Sequence, residues 1–174
     1  QMAVATKASR VCRATNRPVS EFGSRRAHGP WAATYGAKAA IIAGCASTSN
    51  ILAGVMFDYG STGTMAHSFV TAFGSSVAGE FKAFDTYIKT HKGEPLILLI
   101  DTYDTLKCGV LNAIKAFKEN GIDDSYEAGY GIRLDSGDLA YLSIECRAIL
   151  DENGLHKCKI FATNSLDEYL ITDL

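Results

Sequence analysis

The sequence predicts an α/β fold built on parallel strands, and three features lead to that reading. Short apolar runs alternate with helix-periodic segments along the chain. This rhythm indicates repeated strand–helix units and a parallel sheet, closed as a barrel or open and doubly wound. The run Leu96 to Ile100 is uninterrupted and apolar, as suits a central strand covered on both faces. No G-x-G-x-x-G turn occurs, which argues against a dinucleotide-binding half.

The elements follow in order. Met2 to Ala14 has helix-forming composition, and Pro18 to Phe22 brings a short extended run. Trp31 to Ala43 reads as a helix opened by Pro30 and closed by Gly44. Asn50 to Val55 reads as a second strand, Thr62 to Ala66 as another extended piece, and Ser68 to Phe73 as an apolar helix. Glu80 to Lys89 carries Phe81, Phe84, Tyr87 and Ile88 at helical spacing, and Gly93 and Pro95 then punctuate the chain before the Leu96 strand. Val110 to Glu119 is a helix stopped by Asn120-Gly121, and Tyr130 to Leu134 is a short buried strand. Asp138 reads as the N-cap of a helix running toward Leu150. Lys159 to Ala162 is the next strand, and Asp167 to Ile171 a last helix.

The bulk properties narrow the class. With 174 residues, 47% of them hydrophobic, the chain can bury one substantial core, so residues 1–174 are expected to form one domain or part of a larger one. The pattern opens inside a helix at Gln1 and ends just after one at Leu174. It has too few strands for an eight-stranded barrel of roughly 250 residues, and a partial barrel is expected. A formal net charge of -2 and a pI near 6.1 argue against a nucleic-acid surface or an anionic membrane partner. Cys12, Cys45, Cys108, Cys146 and Cys158 are scattered without metal-ligand spacing and read as reduced thiols. No apolar window is long enough to span a bilayer and no signal pattern opens the chain, so a cytoplasmic location is expected.

Four stretches place polar chemistry at presumed strand ends, where parallel α/β folds bind ligands. In GIRLDSGDLA, Arg133 offers a planar fork to a carboxylate or phosphate, and Asp135 and Asp138 are acceptors for sugar hydroxyls or hydrated magnesium. The alternative is an ordinary capped turn in which the arginine and an aspartate pair with each other. In EFGSRRAHG, Arg25 and Arg26 follow a strand, and at most one points fully into a site. In GSTGTMAHSF, small residues, the hydroxyls of Thr64 and Ser68 and a helix start at His67 suit a phosphate. In LLIDTYDTLKCG, Asp101 and Asp104 lie just past a buried strand. They suit a metal or sugar, and Asp104 or Thr105 equally suits a helix cap. No G-x-S-x-G elbow or H-E-x-x-H helix is present, leaving hydrolase and zinc-protease readings without a motif.

Taken together, EFGSRRAHG, Asn50-Ile51-Leu52-Ala53-Gly54, GTMAHSFV, LLIDTYDTL, GIRLDSGDL and ATNSLDEYLI resemble, in order and over nearly the whole chain, the nicotinate phosphoribosyltransferases. The resemblance implies a type II phosphoribosyltransferase: an incomplete irregular α/β barrel, with the amino-terminal flanking domain and the downstream glycine-rich phosphate loop outside this sequence. It implies the joining of nicotinate to 5-phosphoribosyl 1-diphosphate, giving nicotinate mononucleotide and diphosphate, with coupled ATP hydrolysis, magnesium and a homodimer. By the same resemblance His67 accepts phosphate from ATP, Arg25 and Arg133 lie near the pyridine and diphosphate groups, and Thr64 matches a nicotinate-site position. Asp135 and Asp138 orient ribose or magnesium. Asn50 stands where nicotinamide-specific relatives place an aspartate that repels a carboxylate. Those relatives, and a non-catalytic assembly partner, are the alternatives. His28 is read as a local hydrogen-bonding residue, and His91 and His156 as solvent-facing.

Overall fold

The computed structural model describes all of residues 1–174 as a mixed α/β chain with two parallel sheets. It divides into two compact units: residues 1–63 with 165–174, and residues 64–164. The first unit opens with helix α1 (Met2–Arg13), strand β1 (Ser20–Glu21) and a single 3-10 turn at Ser24–Arg26. Helix α2 (Pro30–Ile42) begins immediately after Gly29, whose φ of +103° suits only glycine, and its first residue is the proline, whose missing N–H costs nothing there. Strand β2 (Ser47–Thr48) pairs in parallel with β1, and helix α3 (Ile51–Phe57) follows.

Asn50 to Val55 is therefore helix and not strand. An apolar run this short carries either pattern, and the Asn50 cap decides between them, its Oδ1 accepting from the Ala53 N–H at 2.9 Å. Thr62 to Ala66 is irregular, and the bridge between Thr48 and Ser61 ends just before it. The buried residues of α2 are Thr34, Ala37, Ala39 and Ala40, small side chains that let neighbouring backbones approach. The chain's one tryptophan, Trp31, stands 64% exposed on this helix.

The second unit holds the larger core. Helices α4 (His67–Thr71) and α5 (Val77–Thr90) lead into strand β3 (Leu96–Leu99), and a wide turn, Thr105–Gly109, runs into α6 (Val110–Glu119). Strand β4 (Tyr130–Leu134), helix α7 (Leu139–Glu152) and strand β5 (Lys159–Ala162) complete it. Helix α8 (Glu168–Asp173), capped by Asp167, rejoins the first unit. The sheet order is β3-β4-β5, all parallel. Its core gathers Phe84, Ile88, Leu96, Leu98, Ile100, Phe117, Ile132, Leu134 and Leu150, all buried. Strands and helices alternate here as the sequence predicts, and β4 and β5 match their predicted bounds. Gly131 is required at the β4–β5 seam, since a Cβ there would lie 2.4 Å from the Lys159 carbonyl oxygen.

All five cysteines are free. His91 is half-buried, stacked on Tyr87 with ring centroids 4.3 Å apart, because one helical turn separates them; the solvent-facing reading holds for His156 alone. Glu80 on α5 is fully buried, with Oε2 accepting from Asn112 Nδ2 at 2.9 Å and Oε1 without a partner. Burial pushes its carboxyl up from 4.5, against a smaller downward pull from Asn112. A carboxyl raised by folding costs stability once pH exceeds its unfolded value. Glu80→Gln is accordingly expected to stabilise the chain at pH 7, on the order of 1 kcal/mol, with the gain disappearing below about pH 4.5; urea unfolding followed by circular dichroism at both pH values checks it.

Candidate active site

The site grows out of the sheet register. Leu99 pairs with Arg133 and Arg133 with Phe161, so Asp101, Asp135 and Thr163, each two residues further along, continue one row past the carboxyl ends of β3, β4 and β5. Backbone bonds extend the ladder to this point: Ile100 N–H donates to the Arg133 carbonyl and Thr163 N–H to the Leu134 carbonyl. Asp101 then reaches across, its Oδ2 accepting from the Asp135 N–H at 3.1 Å and from the Ser136 hydroxyl.

Arg133 projects from the last turn of this ladder and is largely buried. Its Nε donates to Thr163 Oγ1 and its Nη1 to Thr64 Oγ1, both at 3.0 Å, while Nη2 pairs with Asp135 Oδ1 at 3.0 Å. The pairing of arginine with aspartate, one of the two readings of this motif, is thus made, and it fixes the plane of the fork. Burial by itself pushes the Asp135 carboxyl up. The Thr163 hydroxyl and the Arg133 guanidinium, with a smaller pull from His67, outweigh it and hold the group below the usual carboxylate range.

His67 begins α4, a helix of only five residues, so its dipole is small and the anion-attracting charge of the site comes chiefly from Arg133. The imidazole is asymmetrically placed. Nδ1 lies 3.2 Å from Thr102 Oγ1, and Nε2 faces Asp135 Oδ2 at 3.5 Å and Asp101 Oδ1 at 3.9 Å. Asp101 Oδ1 is buried and has no other partner. A proton on Nε2 therefore meets two carboxylates, leaving the Nδ1 lone pair to accept from the Thr102 hydroxyl. Ser68 is exposed one residue along α4.

No group of three or more acidic, histidine or cysteine side chains is arranged to hold a metal ion. Asp138 is exposed and caps α7, its Oδ1 accepting from the Tyr141 N–H at 3.1 Å, and Asp104 caps the wide turn through Lys107 N–H. Such a donor set fits magnesium only as a largely hydrated ion carried on a ligand's phosphates. In the first unit, Arg25 is exposed, and Asn50 is tied at both ends, to Ala53 N–H through Oδ1 and to Ser24 Oγ through Nδ2 at 3.2 Å. Arg25 and Asn50 line a shallow cleft of about 430 Å³ with Ser24, Ala33, Thr34 and Leu52. Thr163 and Thr102 lie within the stretches ATNSLDEYLI and LLIDTYDTL, but their residue type does not single them out there. Their signal is position, directly after a strand and at the same edge as the aspartates.

No family model matches the chain. Nicotinate phosphoribosyltransferase of Bacillus subtilis is 46% identical to it over 175 residues, covering 100% of this chain and 34% of that protein. This chain belongs to the nicotinate phosphoribosyltransferase family. A Mycobacterium tuberculosis nicotinate phosphoribosyltransferase is also 46% identical, with 100% of this chain and 36% of that protein covered. The Dictyostelium discoideum enzyme of that name is 32% identical over 98% of this chain and 36% of its own. Among solved structures, human nicotinic acid phosphoribosyltransferase aligns with a TM-score of 0.81 at 26% identity, over 97% of this chain and 43% of that one. Nicotinate-nucleotide pyrophosphorylase of Pyrococcus furiosus gives 0.79 at 30% identity, over 98% and 42%. The chain spans about a third of the length of these curated relatives. No helix is long and apolar enough to cross a membrane.

A carboxyl lowered by folding contributes stability that is present above its unfolded value, near 3.8, and is lost as pH falls through the folded one. Asp135→Asn is expected to unfold at lower urea than the parent at pH 7. The gap should close as the pH is taken below 3.8, where the protonated aspartate and the asparagine become alike; urea midpoints measured across that range check it.

Proposed function

We propose that this chain carries the phosphoryl- and diphosphate-handling part of a nicotinate phosphoribosyltransferase, which joins nicotinate to 5-phosphoribosyl 1-diphosphate with ATP hydrolysis coupled to the synthesis. One observation carries this reading: a histidine with one nitrogen turned to two carboxylates, set beside a buried arginine at the carboxyl edge of a parallel sheet. The kinship with nicotinate phosphoribosyltransferases supplies the substrate class.

His67 is the phosphate acceptor in this reading. Asp101 and Asp135 face the proton on Nε2 and offset the positive charge that grows on the ring, so the Nδ1 lone pair attacks the γ-phosphorus of ATP; the N–P bond forms as the bond to the departing ADP breaks. Water later cleaves the N–P bond and releases phosphate. Nδ1 is favoured over Nε2 because a phosphoryl group on Nε2 would meet both aspartates as like charges. In the glycosyl step the pyridine nitrogen attacks ribose C1, and the C1–oxygen electron pair leaves with diphosphate. No proton need move, so the protein's task is positioning and charge. Arg133 and Thr64 serve the diphosphate and pyridine, and Asp135 the ribose. Asp135 would lie nearest a magnesium ion brought by the diphosphate, whose charge would ease departure of that leaving group, and Asp138 contributes through the turn it caps. We assign Arg25 and Asn50 to nicotinate, with Ser68 beside the phosphorylated histidine.

Two experiments on the full-length protein test the reading. Incubation with γ-labelled ATP should give an acid-labile, alkali-stable phosphoprotein, and His67→Asn should abolish the label and uncouple ATP hydrolysis from synthesis; label persisting in the variant would move the coupling elsewhere. Asn50→Asp keeps a capping oxygen for Ala53 but adds a charge. It should cut kcat/KM for nicotinate by roughly 100-fold, the kinetic counterpart of a few kcal/mol of like-charge repulsion, and spare nicotinamide. Equal losses for the two substrates would remove Asn50 from the nicotinate site.

A further inference from the structure

We infer that Thr163 is a positioning residue for this site, its hydroxyl holding the Asp135 carboxylate in the one orientation that turns Oδ2 toward His67. The inference rests on the functional reading above and adds a residue to it.

The hydroxyl is in an unusual position. Its place is set by the sheet, because the Thr163 backbone N–H donates to the Leu134 carbonyl at 2.9 Å. The oxygen accepts from Arg133 Nε at 3.0 Å, and two acceptors compete for its single proton: the Leu134 carbonyl at 3.0 Å and Asp135 Oδ1 at 2.5 Å. The carboxylate is charged and closer, and charge-assisted bonds are the stronger kind. Asp135 Oδ1 therefore receives the Thr163 O–H as well as Arg133 Nη2, and Oδ2 is left facing His67 Nε2 at 3.5 Å.

The terminal torsion of an aspartate is broad, so a single donor leaves the carboxylate plane loosely held. Arg133 and Thr163, donating to the same oxygen, fix that plane and so send the other oxygen toward His67. Thr163 also gives Arg133 Nε an acceptor in a largely buried place, which keeps the fork in the plane that serves Thr64 and Asp135. Valine has nearly the shape of threonine and removes only the hydroxyl; serine keeps the hydroxyl and removes only the methyl group.

The test compares the full-length parent with Thr163→Val and Thr163→Ser. In Thr163→Val the rate of His67 phosphorylation and kcat should fall roughly 10–100-fold, the scale on which a misplaced catalytic group costs rate, while KM for nicotinate moves little; Thr163→Ser should restore most of the loss. Unchanged kcat in the valine variant, or a loss that serine does not rescue, overturns the inference. The Asp135 carboxyl, followed by carbon-13 NMR, gives a readout independent of turnover. Its titration midpoint should rise in Thr163→Val and return in Thr163→Ser, and a midpoint indifferent to both overturns the inference whatever the enzyme does. A parent protein with neither label nor nicotinate turnover would instead defeat the functional reading, with the NMR comparison still deciding whether Thr163 holds Asp135.

Discussion

Parallel pairing of three strands is the constraint on which the rest of the second unit depends. Because β3, β4 and β5 run the same way and in one register, residues of the same rank past their ends arrive at the same edge. Asp101, Asp135 and Thr163 are 34 and 28 positions apart in sequence yet bond to one another there. The helices that return each strand to its start cover the faces and leave that edge as the place where polar groups can meet without burying an unpaired backbone.

What gathers there is a charge arrangement with a direction. Arg133 is committed along one side to Thr64, Thr163 and Asp135, and the aspartates present their remaining oxygens to one nitrogen of His67. Removing a member leaves its partners with desolvated charge, which is costlier than never having buried the group. The cluster is therefore expected to respond as a unit to substitution, and pairwise accounts of its members will not add.

Much of this was legible in the residues themselves. Tyr130-Gly131-Ile132-Arg133-Leu134 is short, apolar and bounded by glycine on one side and Asp-Ser-Gly-Asp on the other, so strand, turn and cap could each be read from it. Arg133, Asp135, His67 and Thr64 stand out by chemical type next to such boundaries. Ile51-Leu52-Ala53-Gly54-Val55 was not legible, since period fails over so few residues and the deciding contact is a side-chain cap. Thr163 was hidden for another reason. A threonine after a strand is commonplace, and only the register between β4 and β5 reveals that it lies between an arginine and an aspartate 30 and 28 positions away.

The place of Trp31 has a practical meaning for anyone following this protein by its intrinsic light. The one indole of these 174 residues lies in the first unit and is mostly in water, whereas the polar row and its apolar support lie in the second. Emission from this chain is consequently a local witness to the α2 surface. Loss of the sheet around Tyr130 and Phe117, which pack edge-to-face at 5.1 Å, would register in backbone dichroism or amide exchange while the tryptophan signal reported on a different part of the molecule.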